Sequence, residues 1–304
     1  MNQLPPAPPL REGILPALWT PTDADGRLLE GDLKKILRFL VANKVHGLMA
    51  LGSTGEFVQL EPVTRMRALE LAVANDGALP VLANISDVRP RVVAELGRFA
   101  RHCGAAAVSV LPPYFFPLAQ ADLVEFFVRA GEVAQLPLFL YNFPERVGNR
   151  IALETIAAVA ERVPVAGFKQ SGAEFEYHRA LVQLGREKNF VVFTGADTAL
   201  PAAMALGCTG CVSGLANAVP DLVVEIFNAV KAGQPAAALP AADQMKQLGR
   251  LADQLEFPLN IAAIMEARGL PTGQPKSIVS PATQTRYERL VAECQVQFRE
   301  WKLI

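Results

Sequence analysis

The chain has 304 residues, 51% of them hydrophobic, and a formal charge of −1. That supplies a large core but no basic excess of the kind nucleic acid or an anionic membrane surface selects. Four cysteines (Cys103, Cys208, Cys211 and Cys294) are too few for a disulfide framework in so long a chain, and no run reaches the ~18 apolar residues of a membrane span. The default expectation is a reduced, soluble, cytoplasmic protein.

Residues 1–10 carry four prolines and no apolar run of signal-peptide length, so a flexible arm is expected there. Eight short apolar runs follow, at 14–19, 47–51, 80–83, 105–111, 136–140, 163–168, 190–193 and 210–212. They are continuous rather than alternating, the pattern of parallel strands buried on both faces. Amphipathic stretches lie between and after them, at 32–43, 62–74, 91–103, 121–134, 153–161, 175–187, 198–206 and 220–231. Pro62, Pro90 and Pro220 stand near helix starts, where a missing amide donor is harmless. Eight strand–helix units predict an α/β fold, a (β/α)8 TIM barrel over residues 11–233. The rival is a doubly wound sheet, but no Gly-x-Gly-x-x-Gly turn follows the first run. After Gly233 the composition turns rich in Ala, Gln and Leu, with helical stretches at 236–254, 259–268 and 281–301. Residues 234–304 are therefore expected to form a C-terminal α-helical segment that caps the barrel or builds an oligomer interface.

Barrels of this kind carry their chemistry at the C-terminal ends of the strands. The residues there are Thr20 and Pro21, Gly52-Ser53-Thr54-Gly55-Glu56, Asn84 and Ser86, Pro113-Tyr114, and Tyr141-Asn142 with Arg146 close behind. Lys169-Gln170-Ser171, Gly195 and Asp197, and Ser213-Gly214 complete the rim. Lys169 is the most telling of these. An ammonium closing a buried strand is costly to desolvate, yet desolvation favours the neutral amine, which attacks carbonyls. The bland alternative is a rim lysine that snorkels to water or pairs with Glu56. Tyr141 is either the proton carrier such an attack needs or a core aromatic with a satisfied hydroxyl. Ser53 and Thr54, flanked by glycines that let the backbone approach a ligand, either hold a carboxylate or cap an ordinary βα turn. Arg146 is an anion contact or a solvated loop charge. Cys208-x-x-Cys211 has redox or metal spacing but no second cysteine pair, so burial is the simpler reading. His46, His102 and His178 lack the His/carboxylate spacing of a metal site, so no metal and no cofactor are expected.

Gly52-Ser53-Thr54-Gly55-Glu56, Tyr141-Asn142-Phe143-Pro144 and Gly167-Phe168-Lys169, in this order and spacing, resemble the dihydrodipicolinate synthase / N-acetylneuraminate lyase family. The likeness runs over residues 13–231, more weakly into the tail. It implies a barrel with C-terminal helices, usually a homotetramer, and class I aldolase chemistry through a lysine–pyruvate Schiff base. It implies Lys169 as the Schiff-base lysine, Tyr141 as the proton shuttle, and Ser53 and Thr54 as the pair that binds the pyruvate carboxylate. Tyr114 matches a tyrosine that completes a proton relay across a subunit contact, and Val212 a residue whose backbone carbonyl helps to position substrate. The implied partners are pyruvate and an aldehyde.

Arg146 stands where the synthases keep an arginine for the carboxylate of aspartate semialdehyde, which favours synthase-like condensation. Ser53 in place of a threonine, Phe57 after Glu56, and the Tyr141-Asn142-Phe143-Pro144 motif look more like neuraminate lyases and 2-keto-3-deoxy sugar acid aldolases, the second reading. Asn84-Ile85-Ser86 replaces a glycine-rich turn, and Phe115 and Phe116 make the wall beside Tyr114 greasier, so these positions bear on the aldehyde. Phe57, Pro62 and Val88 stand where polar groups of a lysine feedback site would be, so such feedback is not expected. A reading of another class is a non-catalytic barrel that binds small acids.

Overall fold

Each apolar run forms a strand because its side chains meet helices on one side and the barrel interior on the other. The computed structural model describes residues 10–172 and 174–304. Its strands are β1 (Gly13–Pro16), β2 (Leu48–Ala50), β3 (Val81–Asn84), β4 (Ala107–Val110), β5 (Leu138–Asn142), β6 (Val165–Gln170), β7 (Val191–Thr194) and β8 (Gly210–Ser213). All neighbours from β2 to β8 pair in parallel, and β8 pairs with β1. The ring closes where Leu18 N donates to Met49 O and His46 N to Ile14 O, each at 2.9 Å. This is the predicted (β/α)8 barrel. Closure is tight at β1 and β8: a Cβ on Gly210 would stand 1.9 Å from Gly13 O, so only glycine fits there.

The helices are α1 (Glu30–Ala42), α2 (Pro62–Val73), α3 (Pro90–Cys103), α4 (Gln120–Ala134), α5 (Pro144–Val147), α6 (Leu153–Ala160), α7 (Phe175–Lys188), α8 (Leu200–Leu206) and α9 (Pro220–Lys231). Prolines open α2, α3 and α9 as expected. The single turn α5, just after β5, has no period long enough to be read from sequence. The tail forms α10 (Leu239–Ala252), α11 (Leu259–Ala267) and α12 (Pro281–Glu300), the last capped by Ser280 Oγ, which accepts from Thr283 N. Residues 1–9 of the expected arm lie outside the described residues, and Leu10 is buried.

Buried polar side chains tie the strand ends together. Asn84 Nδ2 donates to Leu51 O (2.7 Å) and Asn84 Oδ1 accepts from Ser86 Oγ (2.6 Å), whose oxygen accepts from Leu111 N (2.7 Å). Asn217 accepts from Trp19 N (2.9 Å) and donates to Ala17 O (2.8 Å), fastening the turn after β8 to β1. His178 on α7 is fully buried, with Nε2 3.1 Å from Thr194 Oγ1 and Nδ1 3.0 Å from Glu174 O. Burial pushes its pKa below the usual imidazole value. The tail docks on the barrel mouth, where Trp19 Nε1 donates to Thr272 O (2.8 Å) and Gln274 N to Thr22 O (2.7 Å).

Among the described residues, no helix is long and apolar enough to cross a membrane and no group of His, Cys, Asp and Glu side chains has metal-holding geometry. All four cysteines are free thiols, and Cys208 and Cys211 are buried, the reading favoured by the lack of a second cysteine pair.

Candidate active site

The ladder between β5 and β6 runs past the apolar text and places Tyr141 opposite Lys169. Both had been expected just beyond their strands. They lie inside them, because the main chain goes on pairing after the side chains turn polar. Lys169 is 3% exposed, with Nζ 3.6 Å from Met49 Sδ and 4.0 Å from the centre of the Tyr141 ring. Among the described residues no carboxylate pairs with it. The alternative partner, Glu56, instead holds Lys276 at 2.6 Å.

Above Lys169 opens a cavity of about 310 Å³, whose inner wall includes Ser53, Thr54, Tyr141, Asp197 and Val212. Tyr141 Oη lies 3.3 Å from Ser53 Oγ, and Ser171 Oγ donates to it at 3.4 Å, so a chain of three hydroxyls crosses the floor beside the lysine. The turn bearing Ser53 and Thr54 is pressed onto the chain just after β1: a Cβ on Gly55 would lie 2.7 Å from Leu18 O. The plain capping role is not realised, since α2 starts from Glu61 without a side-chain cap.

Asp197, in the turn after β7, accepts from Leu215 N at 3.3 Å and lies 3.6 Å from the Cys211 thiol. Burial raises its carboxyl above the usual carboxylate range, opposed by bonds from Ser213 and Leu215 and by the charge of Lys169. Arg146, on α5, is exposed at the outer rim with its guanidinium 5.3 Å from the Phe257 ring centre. It makes no ion pair among the described residues. The outer wall comes from the tail, through Gly249, Asp253, Phe257 and Ile261. Sequence reasoning missed these four, for the tail carries no motif and no strand end to search.

Tyr114 does not line the Lys169 cavity of its own chain. It lines an adjoining one of about 310 Å³, with Phe57, Leu111 and Val147, that shares Ser53, Arg146 and Phe257 with the first. Burial and Asp87 raise its phenol pKa, while Arg65 and Arg89 pull the other way. Phe115 and Phe116 beside it are 85% and 71% exposed, so the greasy wall inferred from sequence faces outward. Asn84 and Ser86, expected to bear on the aldehyde, are buried and engaged in the strand-end network instead. Phe57 is buried against Arg65 (5.2 Å), which forms a buried ion pair with Asp87 (3.1 Å).

Residues 10–297 match the model of the dihydrodipicolinate synthetase family. The chain is 30% identical over 285 residues to the 4-hydroxy-tetrahydrodipicolinate synthase of Methanococcoides burtonii, covering 93% of this chain and 97% of that one. It is also 30% identical over 264 residues to the Escherichia coli K12 protein named "Probable 2-dehydro-3-deoxy-D-pentonate aldolase YjhH", covering 85% and 88%. Among solved structures, YagE of E. coli K12 in complex with pyruvate superposes with a TM-score of 0.87 at 27% identity, covering 95% of this chain and 99% of that one. With the barrel and the motif-bearing turns in place, this chain belongs to the dihydrodipicolinate synthetase family, whose members are lyases that make or break carbon–carbon bonds.

Proposed function

We propose that this protein is a pyruvate-dependent class I lyase/synthase working through a Schiff base on Lys169. The observation that carries the reading is an unpaired, buried Lys169 beside a hydroxyl chain through Tyr141 and Ser53, at the floor of a cavity. The neutral amine attacks the ketone carbon of pyruvate, and Tyr141 passes protons as the carbinolamine loses water to become an imine. The protonated imine withdraws electrons, the methyl group gives up a proton, and the resulting enamine adds to an aldehyde. Water then releases product and lysine. Ser53 and Thr54 hold the pyruvate carboxylate, and the Val212 carbonyl helps to orient the substrate.

Arg146, at the outer rim with no ion pair among the described residues, fits the carboxylate of an aldehyde such as aspartate semialdehyde. Condensation of the synthase type is therefore the first reading, and the M. burtonii relative supports it. A second reading is retro-aldol cleavage of a 2-keto-3-deoxy sugar acid, favoured by Asp197, Thr198 and Asp253, which offer the cavity acceptors and a hydroxyl for polyol groups. The E. coli relative supports that one. Residues 11–233 carry the chemistry and 234–304 close the mouth. The working form is a cytoplasmic homotetramer in which Tyr114 serves a neighbouring subunit.

Borohydride added with pyruvate tests the reading. A reduced pyruvate adduct on Lys169 is expected, with none in Lys169→Ala. A folded wild-type protein that forms no adduct reduces the chain to an acid-binding barrel without this catalysis.

A further inference from the structure

The turn that carries Ser53 and Thr54 is held from outside the barrel. Glu56, two residues on, has left-handed backbone torsions (φ 55°), a conformation that costs a residue with a side chain about 1–2 kcal/mol. Its amide donates to Ser53 O at 3.1 Å and so closes the turn. Its carboxylate faces away from the Lys169 cavity, into the two cavities beside it. There Oε2 accepts from Lys276 Nζ at 2.6 Å and Oε1 from Gln59 Nε2 at 3.3 Å. The Lys276 and Glu56 side chains are only 4% and 8% exposed, and the ammonium also lies 4.9 Å from the Trp19 ring centre.

Lys276 sits between α11 and α12, 220 residues from its partner. The segment that bears it is fastened to the chain that follows β1 through Trp19–Thr272 and Thr22–Gln274, and Gln59 Nε2 donates to Ser277 Oγ at 3.2 Å. A buried ion pair adds little net stability over a well-packed apolar pair. What it does supply is a fixed distance between two pieces of chain.

We propose that Lys276 is a positioning residue for the 2-oxo acid: through Glu56 it holds the Ser53–Thr54 turn where the substrate carboxylate must sit. This rests on the reading of Ser53 and Thr54 as the carboxylate-binding pair. Tyr141 and Lys169 belong to β5 and β6 and are held by the ladder between them, not by the ion pair. Losing the tether therefore weakens substrate affinity and leaves the chemistry at saturation largely intact.

The test is the rate of borohydride inactivation of the full chain against pyruvate concentration, which separates half-saturating pyruvate from the limiting rate. In Lys276→Met the half-saturating concentration rises about tenfold or more while the limiting rate stays within about threefold of wild type. Lys276→Arg keeps the cation and returns affinity to within about threefold. The double variant Glu56→Gln/Lys276→Met buries no uncompensated charge, so it melts near the wild type yet binds pyruvate as weakly as Lys276→Met. It also carries the test if the single variant does not fold. A double variant that recovers affinity together with melting temperature overturns the proposal, because a merely structural pair behaves that way. So does a fall in the limiting rate as large as the rise in half-saturating pyruvate. Variants that match a trapping wild type overturn the positioning role alone, whereas a wild type that never traps overturns the Schiff-base reading and this proposal with it.

Discussion

Tyr141 and Lys169 face each other across the β5–β6 ladder, with the ammonium 4.0 Å from the centre of the tyrosine ring. The electron-rich ring face suits the cationic imine of the proposed reaction, while the hydroxyl of the same ring reaches Ser53 Oγ at 3.3 Å. Tyr141→Phe separates the two roles, because it keeps the ring and removes the proton carrier. It is expected to fold as the wild type and to form the pyruvate adduct about 10²–10⁴-fold more slowly. Trapping rates at saturating pyruvate check this, and a wild-type rate removes Tyr141 from proton transfer.

Arg146→Ala should tell the two acceptor readings apart. Loss of a charge-assisted hydrogen bond is worth ~1.5–3 kcal/mol, so kcat/KM with aspartate semialdehyde should fall roughly 10–100-fold. Cleavage of keto-deoxy sugar acids should barely change. Equal losses on both substrates would mean that Arg146 does not read the acceptor's carboxylate.

Asn84→Ala is expected to be a stability variant and not a specificity variant. It strips Leu51 O and Ser86 Oγ of a buried partner, at about 2–4 kcal/mol. Urea midpoints report the loss, while the ratio of activities on the two acceptor classes stays constant. A changed ratio with unchanged stability would return Asn84 to the substrate side.

Gly210→Ala attacks barrel closure directly. The new Cβ meets the Gly13 carbonyl oxygen at 1.9 Å, and neither backbone can move without breaking the β1–β8 ladder. Overpacking of this kind costs about 3 kcal/mol or more. Thermal unfolding of soluble protein is the measurement, and a melting temperature within error of wild type would refute it.

His178 makes the fold sensitive to acid. Its folded pKa is pushed below the 6.5 of a free imidazole by burial, so the unfolded chain takes up the proton first. The contribution to stability is present above pH 6.5 and is lost as pH falls through the folded value. The slope reaches at most about 1.4 kcal/mol per pH unit. His178→Asn should be less stable than wild type at pH 8 but lose less between pH 7 and pH 5. Denaturation midpoints at the three pH values check this, and parallel curves would acquit His178.

The barrel was legible because parallel strands buried on both faces leave uninterrupted apolar text, and each of the eight runs overlaps a strand. Lys169 and Tyr141 stood out for the converse reason, as polar side chains at the ends of such runs. Asn84 shows the limit. A polar residue at a strand end looks the same in sequence whether it faces a ligand or ties neighbouring strands, and here it does the second. Met49, the neighbour of the Lys169 amine, read as one more core residue in its run. Lys276 was invisible because no local pattern links a loop lysine to a carboxylate 220 residues away.

The walls of the Lys169 cavity are drawn from two parts of the fold, the barrel and the tail. The floor is built from strand ends, and the outer wall from Gly249, Asp253, Phe257 and Ile261 of the tail. Substitutions in the outer wall leave every ladder hydrogen bond of the barrel intact, whereas changes in the floor sit in or against the strands that hold the barrel shut. A lineage with this arrangement can explore new acceptors one residue at a time while its nucleophile stays fixed. Directed evolution toward an unnatural aldehyde should accordingly begin at residues 249–261 and leave the strands alone.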